Sequence, residues 1–308
     1  MSAGDAPELP PALPGERRVL ADSSAGLLSW YQAAPASGGG GPLLLIHSVN
    51  AAASAYEVRP LYEHYRQLRP VYAIDLPGYG FSSRDDRPYV PRLMTDAILA
   101  LVAEIERQHP GRPIDALALS LGCEFLARAA SERPRAFRSL ALVSPTGFRG
   151  NSLRRGAPGT DRGSAGFLRF LTRGRLGRWI FGQLVRPGVI RYFLERTWGG
   201  RGVDAGLLDY DCLTTRMSGA ERAPFYFLSG YLFAADSGTL YESLTMPVWV
   251  SHGVRGDFTD YRALAPLATR MGWRVDVLST GALPHFEVPE DFVRRYDSFL
   301  GNPAPGIA

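Results

Sequence analysis

Ser120 stands in Ala118-Leu119-Ser120-Leu121-Gly122, where an apolar alternation, IDALAL, gives way to a stretch of helical spacing, CEFLARAASER. A serine on so abrupt a strand-to-helix turn, with small residues two positions before and after it, presents its hydroxyl away from the backbone. The amides of the following helix N-terminus then point at the same place, which suits attack on a carbonyl carbon. A serine here also suits a plain helix N-cap, so the partners decide. A hydroxyl nucleophile needs a base, and the base needs a carboxylate that orients it and stabilises its charged form. Of the five histidines, His64 and His109 fall on or at the end of predicted helices and read as surface residues. His285 lies in TGALPHFEVPEDF, after the last predicted strand and before the last helix, at the same carboxyl edge of the sheet as Ser120. It is the expected base. The acid belongs in SHGVRGDFTDY, after the preceding strand, where Asp257 and Asp260 both qualify. Asp260 also suits the N-cap of the next helix; Asp257 has no such duty and is the expected acid.

These residues require a particular frame. Residues 18–21 and 27–33 alternate as strands do, and PASGGGG turns the chain into PLLLIH, a continuous apolar run that fits a strand covered on both faces. YEVRPLYEHYRQL has helical spacing, VYAID reads as a strand, RLMTDAILALVAEIERQH as a long helix, and IDALAL, CEFLARAASER and SLALVS continue the alternation. Strand after helix argues for right-handed crossovers in a mostly parallel central sheet flanked by helices, an α/β fold. The pattern breaks at the glycine-rich PTGFRGNSLRRGAPGTDRGSAG and is followed by aromatic-rich helical spacing. It resumes at MPVWVSHG, then YRALAPLATRM, WRVDVLS and FVRRYDSFL. The expected division is a mobile segment over 1–16, a core of 17–148 and 244–301, and an inserted helical cap over 149–243.

With these elements in order, the chain resembles the α/β-hydrolase fold superfamily, as a capped serine hydrolase, over residues 17–300. Nucleophile, acid and base occur in that family's chain order. LLLIHSVN resembles its strand and His-Gly turn, AIDLPGYGFSSR its Asp-x-Pro-Gly-x-Gly-x-Ser segment, and PHFEVPEDF its histidine loop. The resemblance implies an oxyanion hole from the backbone N–H groups of Val49 and Leu121, and substrate contact at the His47-Ser48 turn. Three departures stand out: Ser48 where the family has glycine, Ala118 at the first elbow glycine, and one extra residue in GVRGD. The cap position implies that its aromatic residues, Trp179, Phe181, Tyr192, Phe193, Trp198, Phe225, Tyr226 and Phe227 among them, either line a pocket or hold the cap together.

Composition narrows the function classes. The chain has 308 residues, 45% of them hydrophobic, enough for a large core. Its 34 basic residues are all arginine against 30 acidic ones, and they are spread along the chain apart from a modest excess between Arg149 and Arg222, so nucleic acid is not an expected partner. Cys123 and Cys212 are far apart and suggest no disulfide. No apolar run approaches the roughly 20 residues of a membrane span, and MSAGDAPELPPALPGERR lacks a signal-peptide core, so a cytoplasmic location is expected. The expected activity is hydrolysis of an ester-type bond in a small, largely apolar molecule through an acyl-enzyme at Ser120, with no metal and no organic cofactor. The alternatives are carbon–carbon bond hydrolysis or acyl transfer by the same triad, with a cap arginine holding a substrate carboxylate in the carbon–carbon case, and non-catalytic ligand binding.

Overall fold

The computed structural model describes residues 9–22, 24–36 and 39–301. Eight strands, β1 (Glu16–Asp22), β2 (Gly26–Ala33), β3 (Leu43–Ile46), β4 (Val71–Asp75), β5 (Ile114–Leu119), β6 (Phe137–Val143), β7 (Val248–Gly253) and β8 (Trp273–Leu278), form one sheet. Their order is β1-β2-β4-β3-β5-β6-β7-β8. The β1–β2 and β2–β4 pairs are antiparallel and the remainder parallel. The chain leaves β3 toward β4 on one side and returns as β5 on the other, so a crevice opens between the carboxyl ends of β3 and β5. Open α/β sheets bind ligands at such a point.

The central strands are apolar on both faces because both are covered. Leu44, Ile46, Ala116 and Ala118 join one core with α2 (Pro91–Gln108) and α3 (Gly122–Glu132), whereas Leu43, Leu45, Leu117 and Leu119 join a second with α1 (Arg59–Tyr65) and α12 (Pro289–Gly301). The alternation of period two thus sorts one strand's side chains between two layers. Six helices lie between β6 and β7: α4 (Ala165–Leu171), α5 (Gly174–Leu184), α6 (Pro187–Trp198), α7 (Ala205–Thr214), α8 (Arg222–Leu228) and α9 (Ser237–Glu242). α10 (Ala265–Ala268) and α11 (Pro284–Glu287) complete the chain order before α12. Among the described residues no helix is long and apolar enough to cross a membrane.

The expectation of a mobile segment over 1–16 needs correction where the structure describes it. Leu9, Ala12 and Leu13 are buried in the second core, the Ala12 N–H donates to Tyr31 Oη at 2.9 Å, and Tyr210 Oη donates to the Pro10 carbonyl at 2.8 Å. A proline-rich composition masked three apolar anchors; residues 1–8 lie outside the described residues.

Asp75, at the end of β4, ties the loops beside the crevice. Its carboxylate accepts the N–H groups of Ala55 and Phe81, each at 3.0 Å, and its carbonyl accepts Ser82 Oγ at 2.5 Å. Gly80 sits against it at φ +50, where a Cβ would stand 2.0 Å from the carboxylate. Gly111 has φ +73 but open space around it. Gly111→Ala is therefore expected to cost about 1 kcal/mol, the left-handed backbone penalty alone, and Gly80→Ala roughly 3 kcal/mol or more, because strain and overlap coincide. Urea denaturation of the two variants beside the parent checks the ranking.

Candidate active site

Ser120 follows β5 with φ 48, a left-handed conformation rare for a residue with a Cβ. Its N–H donates to the Val143 carbonyl at 2.8 Å, and its carbonyl accepts the Cys123 N–H at 3.1 Å as α3 begins. The sharp turn works only with a small residue at Gly122, where a Cβ would lie 2.6 Å from the His47 carbonyl. That contact locks the β5–α3 turn onto the end of β3. Ser144, after β6, is the other described non-glycine residue at positive φ; its Oγ donates to the Ala282 carbonyl at 2.8 Å.

A cavity of about 140 Å³ lies over Ser120, lined also by Ser48, Val49, Glu57, Leu121 and Leu283. It adjoins a chamber of about 320 Å³, with which it shares Asn50, Leu194, Thr197, Phe227 and Phe258. Among the described residues neither the Val49 nor the Leu121 N–H meets an acceptor, and both residues border the serine cavity. Two free donors beside an exposed serine hydroxyl are what a developing oxyanion requires.

Glu57, to which the sequence assigns no role beyond its place in a stretch of helical spacing, organises the turn after β3. Its buried carboxylate accepts the Ser48 N–H at 2.7 Å, Ser48 Oγ at 2.9 Å and Asn50 Nδ2 at 2.8 Å. Burial raises its pKa above the ordinary range, against the pull of those donors. No spacing rule marks such a residue, because its partners lie in an adjoining loop.

Three expected site residues stand elsewhere. His47 is fully buried: the Leu76 N–H donates to Nε2 at 2.9 Å, so Nδ1 carries the proton and donates to the Ser48 carbonyl at 2.5 Å. With both nitrogens engaged by backbone, and burial lowering its pKa to about 4, His47 is a neutral brace and not a substrate contact. Ser48 does border the cavity, but its hydroxyl belongs to Glu57.

His285 is likewise fully buried and does not line the serine cavity; Ala282 and Leu283 of its loop do. Its Nε2 lies 2.7 Å from the Glu57 carbonyl, which can only accept, so the proton is on Nε2. Nδ1 has no partner. A serine base of the triad type needs the reverse tautomer, with Nε2 bare toward the hydroxyl and Nδ1–H on a carboxylate. Burial lowers the pKa of His285 to about 4, so the ring is neutral.

Asp257 does not reach it. Its carboxylate is held by Arg196 through Nε at 2.5 Å and Nη2 at 2.9 Å, its N–H donates to the Arg196 carbonyl at 3.1 Å, and it borders the chamber. The extra residue in GVRGD is the sequence signal for this: Gly256, at φ +82, packs its backbone against α6, where a Cβ would stand 2.3 Å from the Arg196 carbonyl. Asp260 has a structural duty, though not as the N-cap, which is Tyr261: it accepts the N–H groups of Arg262 at 3.3 Å and Gly150 at 3.2 Å and pairs with the Arg262 guanidinium, which depresses its pKa. Of the aromatic residues expected in a cap, Phe193 and Phe227 line the chamber, whereas Phe181, Trp198 and Phe225 are buried in cores.

A family model described as the alpha/beta hydrolase family matches residues 43–295. The chain belongs to that family. Solved structures similar to it include a probable hydrolytic enzyme from Pseudomonas aeruginosa PAO1 (18% identity, covering 93% of this chain and 94% of that one, TM-score 0.70). A putative lipase from Acinetobacter baumannii AYE is similar at 19% identity, with 93% and 91% coverage and a TM-score of 0.68. A meta-cleavage product hydrolase from Pseudomonas fluorescens IP01 is similar at 14% identity, with 92% and 97% coverage and a TM-score of 0.68. At these identities the likeness is one of fold. Comparison with curated protein sequences finds no match.

The hydrolase also buries an acid that the sequence does not flag. Asp211, on α7, borders the chamber, is 2% exposed, and has no hydrogen-bond partner for Oδ1 among the described residues. Burial, with the Glu57 carboxylate adding to it, raises its pKa well above the carboxylate range. A raised carboxyl contributes stability that is present below its unfolded pKa and lost as pH rises through its folded one. Glu124, raised to about 7, and Asp75, raised to about 6, act in the same direction. His47 and His285, both lowered to about 4, are neutral in both states only above about pH 7.5 and add no slope there. The melting temperature is therefore expected to fall between about pH 7.5 and 9, where the buried Asp211 carboxyl gives up its proton. Asp211→Asn should make that fall shallower, which differential scanning fluorimetry across the range measures.

Proposed function

We propose that this hydrolase cleaves an ester-type bond of a small, largely apolar molecule through an acyl-enzyme at Ser120. The observation that carries the reading is Ser120 itself, held at φ 48 beside a cavity that Val49 and Leu121 border with unpaired amides. Strain of this kind costs of order 1–3 kcal/mol and persists where surrounding structure enforces it, often at a reacting group. On this reading Ser120 Oγ attacks the carbonyl carbon, its proton passes through the base to the departing alcohol, and water then releases the acyl group. The neutral ring of His285 supplies the base, which requires it to leave the Glu57 carbonyl and turn a bare nitrogen toward the serine.

Carbon–carbon cleavage of a carboxylate-bearing substrate is less well supported. Arg196 is the one arginine that borders the chamber among the described residues, and its guanidinium is already held by Asp257. Non-catalytic binding of the same class of molecule has a specific observation behind it, the engagement of His285 and Asp257 with partners other than each other and Ser120.

Fluorophosphonate labelling followed by a short-chain to long-chain p-nitrophenyl ester series separates these readings. Labelling of the parent and turnover of at least one ester are expected. Ser120→Ala should abolish the label and lower turnover by about 10⁴-fold or more with an unchanged melting temperature. His285→Gln should lower turnover by at least about 10²-fold, the scale of lost general-base catalysis. Asp257→Asn, which touches Arg196 and not the base, should cost less than about tenfold. Full labelling with no ester turned over would favour carbon–carbon cleavage or acyl transfer, no labelling would favour binding, and a loss near 10⁴-fold in Asp257→Asn would restore Asp257 as the acid.

A further inference from the structure

Residues 165–201 carry eight arginines, at 169, 173, 175, 178, 186, 191, 196 and 201, and one acid, Glu195. All eight arginines are exposed, and among the described residues only Arg196 forms an ion pair, with Asp257. The same helices display large apolar side chains to solvent: Phe167 and Phe170 on α4, Leu176 and Trp179 on α5, and Tyr192 and Phe193 on α6, from 43% to 63% exposed. The Phe167 and Phe170 rings stack on each other and those of Tyr192 and Phe193 meet edge-on, so they pack in pairs while still facing water. A soluble surface ordinarily breaks up apolar area of this extent. Neither the serine site nor the packing of the fold uses it.

We infer that the α4–α6 face is the surface by which this hydrolase docks on an anionic lipid bilayer. Short helices with arginine interleaved among tryptophan, phenylalanine and leucine match an interfacial element, in which aromatic rings enter the headgroup zone and guanidinium groups meet lipid phosphates. Charge decides between lipid and the alternatives. A second copy would bring seven unpaired arginines against seven more, with Glu195 alone to offset them on each side. Polyanionic nucleic acid would satisfy the arginines yet leave Leu176 and the phenylalanines without an apolar partner. The position relative to the chamber points the same way: Phe193, Leu228 and Phe258 border the chamber and are each more than a third exposed, so the apolar face continues into its lining. The inference does not depend on which group activates Ser120.

The test is co-sedimentation of the full chain with extruded vesicles of phosphatidylcholine alone and of phosphatidylcholine with 30% phosphatidylglycerol, at 50 and 500 mM NaCl. Binding to the anionic vesicles should exceed that to the neutral ones by at least tenfold at low salt and weaken by at least tenfold at high salt. The pair Phe170→Ser and Trp179→Ser should each weaken binding by several fold. The triple variant Arg173→Glu, Arg175→Glu, Arg178→Glu should abolish it. None of these side chains touches Ser120 or the cavities, so fluorophosphonate labelling serves as the folding control. Equal binding to both vesicle types, no binding, or full binding by the two serine variants overturns the inference. So does a parent that is dimeric by light scattering and becomes monomeric on Trp179→Ser.

Discussion

The bonds made by Glu57 hold the two halves of the candidate site in their present relation. Its carboxylate takes the Ser48 N–H and hydroxyl, and its carbonyl takes the His285 ring, so one residue in the short turn just before α1 fixes both the turn after β3 and the histidine loop after β8. Because Ser48 is engaged, the neighbouring Val49 amide is the donor that remains beside the cavity. Because His285 is engaged through Nε2, the tautomer a serine base needs is disfavoured in this arrangement. A buried carboxyl with three donors is expensive to rearrange, and the low pKa of His285 adds no charge that would draw the ring toward a carboxylate.

The strain at Ser120 belongs to the same set of constraints. Its φ of 48 is held by the bond from its N–H to the Val143 carbonyl, by the close approach of Gly122 to His47, and by the Thr146 N–H, which donates to its carbonyl at 3.4 Å, while Ser144, itself at φ 47, is tied to Ala282. The ends of β3, β5 and β6 and the loop after β8 therefore brace one another at the crevice. His47 takes part as a brace, joining the β3 end to the loop after β4 through Leu76, which accounts for a buried histidine next to a serine site without assigning it chemistry.

The fold as a whole was legible in the sequence because burial leaves a periodic trace. A strand covered on both faces is mostly apolar, a strand covered on one face alternates, and a crossover helix shows three-and-four spacing, so all eight strands and the main helices between them appear in the one-dimensional pattern. The small residue at Gly122 also shows in the sequence, although what demands it is the distant His47 carbonyl, 2.6 Å from where a Cβ would stand. The N-terminal anchors Leu9, Ala12 and Leu13 did not show, since three apolar residues among prolines have no period.

What the sequence by itself determined is the strands, the helices and the position of the serine between one strand and the next helix, set by periodicity within a few residues and by solvent exclusion that acts on composition. What only the tertiary structure decided is which side chains meet across loops: Glu57 with Ser48 and His285, Asp257 with Arg196, and Asp211 with the chamber. Those encounters depend on loop paths and on the docking of α6 and α7, and a pair such as Arg196 and Asp257, 61 residues apart, leaves no mark on either residue's neighbourhood in the chain. Chain order alone placed Asp257 near His285. A single inserted residue in GVRGD, turning Gly256 onto α6, sent the carboxylate to an arginine instead, because a guanidinium within reach of the turned loop offers two charge-assisted hydrogen bonds where a neutral buried ring offers one.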